Sequence, residues 1–155
     1  MPIEITIENS KTLPSYGSVS IAFEVESIYE IAETTLGRFE LSECQLERPY
    51  RKDYDEIPGN GPNYWGKCFD LANWGFITAR ENGLRVGGAA IAYKSADVDM
   101  LERNDNLALL WDLRVSPTHR GCGLGLRLFQ EVEKWCRDRG CFELKIETQN
   151  TNVAA

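Results

Sequence analysis

The sequence predicts an α/β domain in which helices flank a mixed, largely antiparallel sheet. The first half of the chain alternates apolar and polar residues with the period of two that suits half-buried strands. The run LALLWDLRV, residues 107–115, is apolar on nearly both faces, as a central strand is. From Gly123 onward, Leu124, Leu128, Val132 and Trp135 recur at three- and four-residue spacing, the pattern of an amphipathic helix.

In chain order, IEITI at 3–7 reads as a strand. SVSIAFEVESIYEI follows from Ser18 to Ile31, with Val19, Ile21, Phe23 and Val25 alternating, and then RFELSECQL near 38–46. RPYRKDYDEIPGNGPN is a polar loop punctuated by Pro58, Gly59, Gly61 and Pro62. NYWGKCFDLAN suits a short helix. WGFITARENGLRVGGAAIAYK suits a hairpin turning at Glu81-Asn82-Gly83, because Asn-Gly favours the backbone of a tight turn. In 107–115, strict alternation puts Leu107, Leu109, Trp111, Leu113 and Val115 on one face. Ala108, Leu110, Asp112 and Arg114 take the other. The long helix stops at Gly140, a C-cap glycine. CFELKIETQ then supplies a strand able to lie parallel to the central one. No repeat or linker divides the chain, so one domain over residues 1–155 is expected.

Composition narrows the function classes. At 155 residues and 43% hydrophobic, the chain can bury a core of its own. The net charge of -7 argues against nucleic acid or an anionic membrane, since phosphate binding needs clustered Lys and Arg. It favours a cationic small molecule, although acidity also serves solubility. The five cysteines are odd in number and form no C-x-x-C pair, and MPIEITIENS has neither a basic start nor an apolar core. Free thiols in a reducing cytoplasm are expected. Metal is not expected, because His119 is the one histidine and no paired ligand spacing accompanies it.

Between strand and helix stands VSPTHRGCGLGLRLF, with Gly121, Gly123 and Gly125 in alternation. Bare backbone before a helix suits an anion, because unpaired N–H groups converge there and the helix dipole is positive. A Walker loop is excluded by the missing Lys-Ser/Thr pair. The dinucleotide pattern fits Gly121 and Gly123 but meets Leu126 at its third glycine.

The same segment resembles the signature of the GNAT superfamily of acetyl-CoA-dependent N-acetyltransferases, Val-x-Pro-x-x-Arg-Gly-x-Gly-x-Gly-x-x-Leu. Val115, Pro117, Arg120, Gly121, Gly123, Gly125 and Leu128 fit it. The likeness runs from about Trp74 to the end, and Asn152–Ala155 is similar to the start of the family's last helix. RPYRKDYD, FDLANWG and WDLRV resemble the streptothricin acetyltransferase branch. The resemblance implies a GNAT-type sheet with splayed central strands, and acetyl-CoA as co-substrate. It implies that the amides of Arg120, Gly121, Cys122, Gly123, Leu124, Gly125 and Leu126 cradle the pyrophosphate. Leu113, Arg114 and Val115 would pair with the pantetheine arm as an extra strand does, and Asn152 would complete the coenzyme site. The acceptor it implies is a primary amine of a small cationic molecule, with a streptothricin-type antibiotic first. A polyamine or a protein amine is the alternative, and a non-catalytic acyl-CoA-binding module is the rival from another class.

Asp112 and Glu147 are the candidates for drawing in or deprotonating the amine. For Asp112, a salt bridge to Arg114 or another basic residue is an equal alternative. Tyr64, Trp65, Trp74 and Tyr93 belong to the core by default, and some of their rings could wall a cationic acceptor. In the resembling family a helix continues from the position of Asn152, often carries a tyrosine that protonates the departing thiolate, and is followed by a strand pair. Its absence after Ala155 leads to the expectation of a C-terminally incomplete fold. Either the chain is part of a longer one, or another molecule, such as the partner in a homodimer, covers the face of Phe142–Thr148.

Overall fold

The computed structural model describes residues 2–155. They fall into two compact units, one made of the residues up to Ile21 with Tyr54–Glu147, the other of Ala22–Asp53 with Thr148–Ala155.

The first unit holds β1 (Glu4–Glu8), β4 (Gly75–Glu81), β5 (Leu84–Ala92), β6 (Leu107–Val115) and β7 (Glu143–Ile146), hydrogen-bonded in the order β1-β4-β5-β6-β7. The first three pairings are antiparallel and β6–β7 is parallel. Asn82 and Gly83, at φ 51° and 78°, make the two-residue turn between β4 and β5 that both left-handed conformations allow. Parallel pairing needs a crossover, and helix α3 (Leu124–Asp138) supplies it. Its end matches expectation, with Gly140 at φ 75° just past the cap residue Arg139.

Each sheet face has its own core. Leu124, Leu128, Val132 and Trp135 of α3 pack on Ile77, Ala79, Val86, Ala89 and Ile91. Gly75 makes room there, since a Cβ at that position would lie 2.5 Å from the Trp135 ring. The opposite face carries Tyr16 from helix α1 (Leu13–Tyr16) and Trp65 from helix α2 (Pro62–Cys68), packed with Trp74, Phe76, Ala90, Leu107 and Leu109.

Strict alternation fails along β6. Ala90 pairs with Asp112 and Ile91 with Leu110, so Trp111 is an extra residue with no partner on β5. A one-residue bulge flips every side chain beyond it. Leu107, Leu109 and Trp111 therefore face α1 and α2, while Leu113 and Val115 join Ala108 and Leu110 on the α3 face. Asp112 does not share a face with Leu110, as alternation predicts; it turns with Arg114 toward Tyr16.

In the second unit, β2 (Phe23–Glu33) and β3 (Phe39–Lys52) form an antiparallel ribbon. The strand expected from Ser18 begins at Phe23. The strand expected near 38–46 continues to Lys52, through residues predicted as loop. Phe23, Glu24 and Val25 pair with Lys52, Arg51 and Tyr50, which carries the strand onward. Pro49 falls where the register breaks between Val25 and Ser27, so its missing N–H disrupts no ladder. Thr148–Ala155 runs beside this ribbon: the Tyr29 amide donates to the Asn150 carbonyl at 2.9 Å, and the Lys52 ammonium donates to Gln149 Oε1 at 2.6 Å. Residues 152–155 form turns here rather than helix.

Candidate functional site

β6 leaves the sheet through Ser116 and a 3-10 turn at Pro117–His119, then reaches α3 through Gly121 and Gly123 at φ 75° and 83°. A side chain in that left-handed region is strained, and a Cβ at either position would meet nothing within 4 Å. Gly123 caps α3 with no side chain, so the first-turn amides have no capping partner there. Gly121, Cys122 and Gly123 are exposed, as is Leu126, while Leu124 anchors the turn in the core. The result is a bare, exposed turn at the positive end of the α3 dipole.

That turn adjoins a stretch of β6 that β7 does not reach. β7 pairs with β6 only from Leu107–Glu143 to Leu110–Ile146. Among the described residues, Trp111–Val115 therefore has no strand on the β7 side of the sheet, while Asp112–Val115 pairs with β5 on the other. At ~3.3 Å per residue that stretch is about 15 Å long. A Cβ on Gly125 would lie 3.9 Å from the Leu113 and Val115 side chains, so the first turn of α3 faces this half of β6. Leu113, Arg114, Val115 and the 120–126 backbone thus converge in one place. Arg120 helps hold the corner, its Nε donating to the Val115 carbonyl at 3.0 Å and its Nη2 to the Ser20 carbonyl at 3.2 Å. His119 braces the same turn between Thr118 Oγ1 at 2.9 Å and Glu81 Oε2 at 3.2 Å. Cys122 donates its thiol to the His119 carbonyl. Asn152 belongs to the second unit, where its amide donates to Thr148 Oγ1 at 3.2 Å.

The two candidate carboxylates differ. Asp112 lies in a salt bridge: Arg114 Nε donates to one oxygen at 2.9 Å and Nη2 to the other at 2.8 Å, and the Tyr16 hydroxyl donates at 2.8 Å. Arg114 also binds both oxygens of Asp55, at 2.8 and 3.2 Å, and the Val19 carbonyl at 3.0 Å. Burial alone would lower the Arg114 pKa, but the two carboxylates outweigh it and hold the guanidinium firmly charged. Burial, and then the negative charge of Asp112, push the Tyr16 hydroxyl well up, so it stays neutral and donates. Tyr16, Val19 and Asp55 carry no local signal in the sequence, because their partner lies 59 to 96 residues away. Glu147 is exposed, one residue past the last β6–β7 pair.

The aromatic candidates separate as well. Trp65 and Trp74 are buried and fill one another's faces together with Phe69 and Trp111, the Phe69–Trp111 centroids lying 5.0 Å apart. Tyr93 is buried on the opposite sheet face, edge-on to Trp135. Tyr64 alone of the four presents its ring outward, with the Lys67 ammonium 5.0 Å from its centroid. Among the described residues, no group of three or more His, Cys, Asp or Glu is placed to hold a metal ion.

Comparison with known proteins agrees with the glycine turn and the mixed sheet. Residues 26–155 match the Acetyltransferase (GNAT) family, and the chain belongs to that family. It is 27% identical to the streptothricin acetyltransferase of Streptomyces lavendulae over 134 residues, 86% of this chain and 66% of that protein. It is 28% identical to the Escherichia coli streptothricin acetyltransferase over 133 residues, 86% of this chain and 64% of that one. The chain thus spans just under two thirds of these relatives' length. In fold it is similar to a Bacillus anthracis str. Ames protein assigned as a streptothricin acetyltransferase and solved with acetyl coenzyme A. The TM-score is 0.72 at 19% identity, over 99% of this chain and 78% of that chain.

Proposed function

We propose that the chain transfers the acetyl group of acetyl-CoA to a primary amine of a small cationic molecule. The observation that carries this reading is the open edge of Trp111–Val115 ending at the bare amides before α3. Pyrophosphate would accept hydrogen bonds from the amides of residues 120–126, and the pantetheine amides would pair with Leu113, Arg114 and Val115. The thioester would then lie near Trp111, where β7 begins to occupy the edge. There the neutral amine attacks the carbonyl carbon, a C–N bond forms, and the C–S bond of the tetrahedral intermediate breaks to release the thiolate. The amine gives up one proton, and the thiolate takes one from solvent. Because Asp112 is already bound by Arg114 and Tyr16, the exposed Glu147 is the better placed carboxylate for drawing in the amine. Family membership and the streptothricin acetyltransferase relatives support a streptothricin as the first acceptor, and the net charge of -7 suits any polycation.

The test measures thiol release from acetyl-CoA with a streptothricin, a polyamine, and a peptide bearing a free amine. Rapid release with streptothricin alone is expected. Release with the peptide only would overturn the acceptor, and coenzyme A binding without release from any amine would mean a binding module.

A further inference from the structure

The guanidinium of Arg114 holds five hydrogen bonds, one for each N–H it owns, while its side chain is 1% exposed. Burying a charge so completely is costly, and an apolar residue could fill the same volume at less cost. The three partners explain what the charge does. Val19 lies on the segment that follows α1, Asp55 on a 3-10 turn at Tyr54–Glu56, and Asp112 on β6 itself. All three meet the half of β6 that lacks β7. A strand with a neighbour on one side only has half the restraint of a central strand, and frays more readily. Tyr16 reinforces the clamp, with its hydroxyl on Asp112 and the Arg114 guanidinium 4.9 Å from its ring centroid.

We infer that Arg114 is a positioning residue, which Asp112, Asp55 and the Val19 carbonyl fix so that the bulged half of β6 keeps a straight, open edge for the coenzyme arm. The inference rests on the acetyl-CoA reading for its kinetic consequence, but not for its structural one. Preorganising the edge lowers the cost of binding, so loosening it weakens acetyl-CoA affinity and leaves turnover at saturation intact. Asp112 then acts through Arg114 and not on the amine.

Arg114→Met leaves two carboxylates without their cation and risks misfolding, so the informative variant is Asp55→Asn, at a side chain that is 26% exposed. The first measurement is amide hydrogen exchange, with no ligand present. Exchange should accelerate about tenfold at the amides of Asp112–Val115 that bond to β5 and stay unchanged at Leu107–Leu110, a charged hydrogen bond being worth roughly that factor. The second is kinetics: KM for acetyl-CoA should rise about tenfold while kcat stays within about twofold. Arg114→Lys should accelerate exchange at the same residues, because one ammonium cannot bridge two carboxylates and a carbonyl with the same geometry. Uniform acceleration across the sheet, or a fall in kcat at constant KM, would overturn the inference. If the wild-type chain released no thiol from any amine, the enzymatic reading would fall, and hydrogen exchange would still decide the clamp.

Discussion

Glu8 shows how a single side chain can tie several elements together. It accepts hydrogen bonds from Thr12, Thr78 at 2.9 Å, Arg80 at 2.5 Å and Arg85 at 3.0 Å. Burial alone would raise its pKa, but the bonds from Arg80, Thr12 and Thr78 and the Arg80 charge prevail and lower it from 4.5 to about 2. A depressed carboxylate stabilises the fold above its unfolded pKa, and that contribution disappears as pH falls toward the folded value. Thermal melts should therefore lose stability between about pH 5 and about pH 2, and Glu8→Gln should flatten the curve in that window. An equally steep acid decline in Glu8→Gln would assign the effect to other carboxylates. The glycines before α3 give a second test at this scale. Gly123→Ala must adopt the left-handed region and should cost about 1–2 kcal/mol of stability. Gly125 has no such conformation, so Gly125→Val should fold normally while its methyl groups crowd the gap toward Leu113 and Val115. Calorimetry should show coenzyme A affinity reduced more than about tenfold in Gly125→Val, and unchanged affinity would remove the coenzyme from this turn.

At the scale of elements, the bulge in β6 is decisive. It places Trp111 among Phe69, Trp65 and Trp74, and carries Asp112 and Arg114 to the Tyr16 side while Leu113 and Val115 remain under α3. Deleting Trp111 would restore plain alternation. Each remaining residue would keep the face it has, with Asp112 opposite Ala90 on the Tyr16 side and Leu113 and Val115 under α3. The variant loses the Trp111 ring from its aromatic pocket, so it should still unfold cooperatively and be roughly 3 kcal/mol less stable in denaturant. A deletion variant without a cooperative transition would mean that the bulge itself, and not only the ring, holds β6 against β5. Helix α3 is held by packing of the ordinary kind. Leu128→Ala should cost about 2–5 kcal/mol in denaturant unfolding, because the site is fully buried.

At the scale of the molecule, the proposed coenzyme binding would be linked to stability. A ligand that binds only the folded chain stabilises it by about 2.7 kcal/mol at one hundred times Kd. For a chain of this size that is a rise in Tm of roughly 5–10 °C, and acetyl-CoA should produce it in a melt. Free adenosine, which lacks the pyrophosphate and the pantetheine arm, should produce much less. Equal shifts from both would point to a nucleoside pocket in place of the phosphate turn.

What the sequence determined by itself was local in origin. Periods of two and near four, the Asn82-Gly83 turn, the end of α3 at Gly140 and the glycine spacing after Arg120 depend on residues close together in the chain. Those signals also carried the family resemblance and the glycine turn before α3, since a strand, a bare loop and a helix start are consecutive. Tertiary structure decided everything that needs a partner from elsewhere. The bulge at Trp111 leaves no mark in LALLWDLRV, because its cause is the register against Ala90 and Ile91 and the aromatic pocket built by α2. The extension of β3 to Lys52 came from pairing with Phe23–Val25, which outweighed a loop-like composition. The salt bridge of Asp112 with Arg114 was likewise built at a distance, by Tyr16, Asp55 and the Val19 carbonyl gathering around the pair. A side chain's chemistry is set by its charged and polar neighbours within a few ångströms, and folding brings those from any point in the sequence.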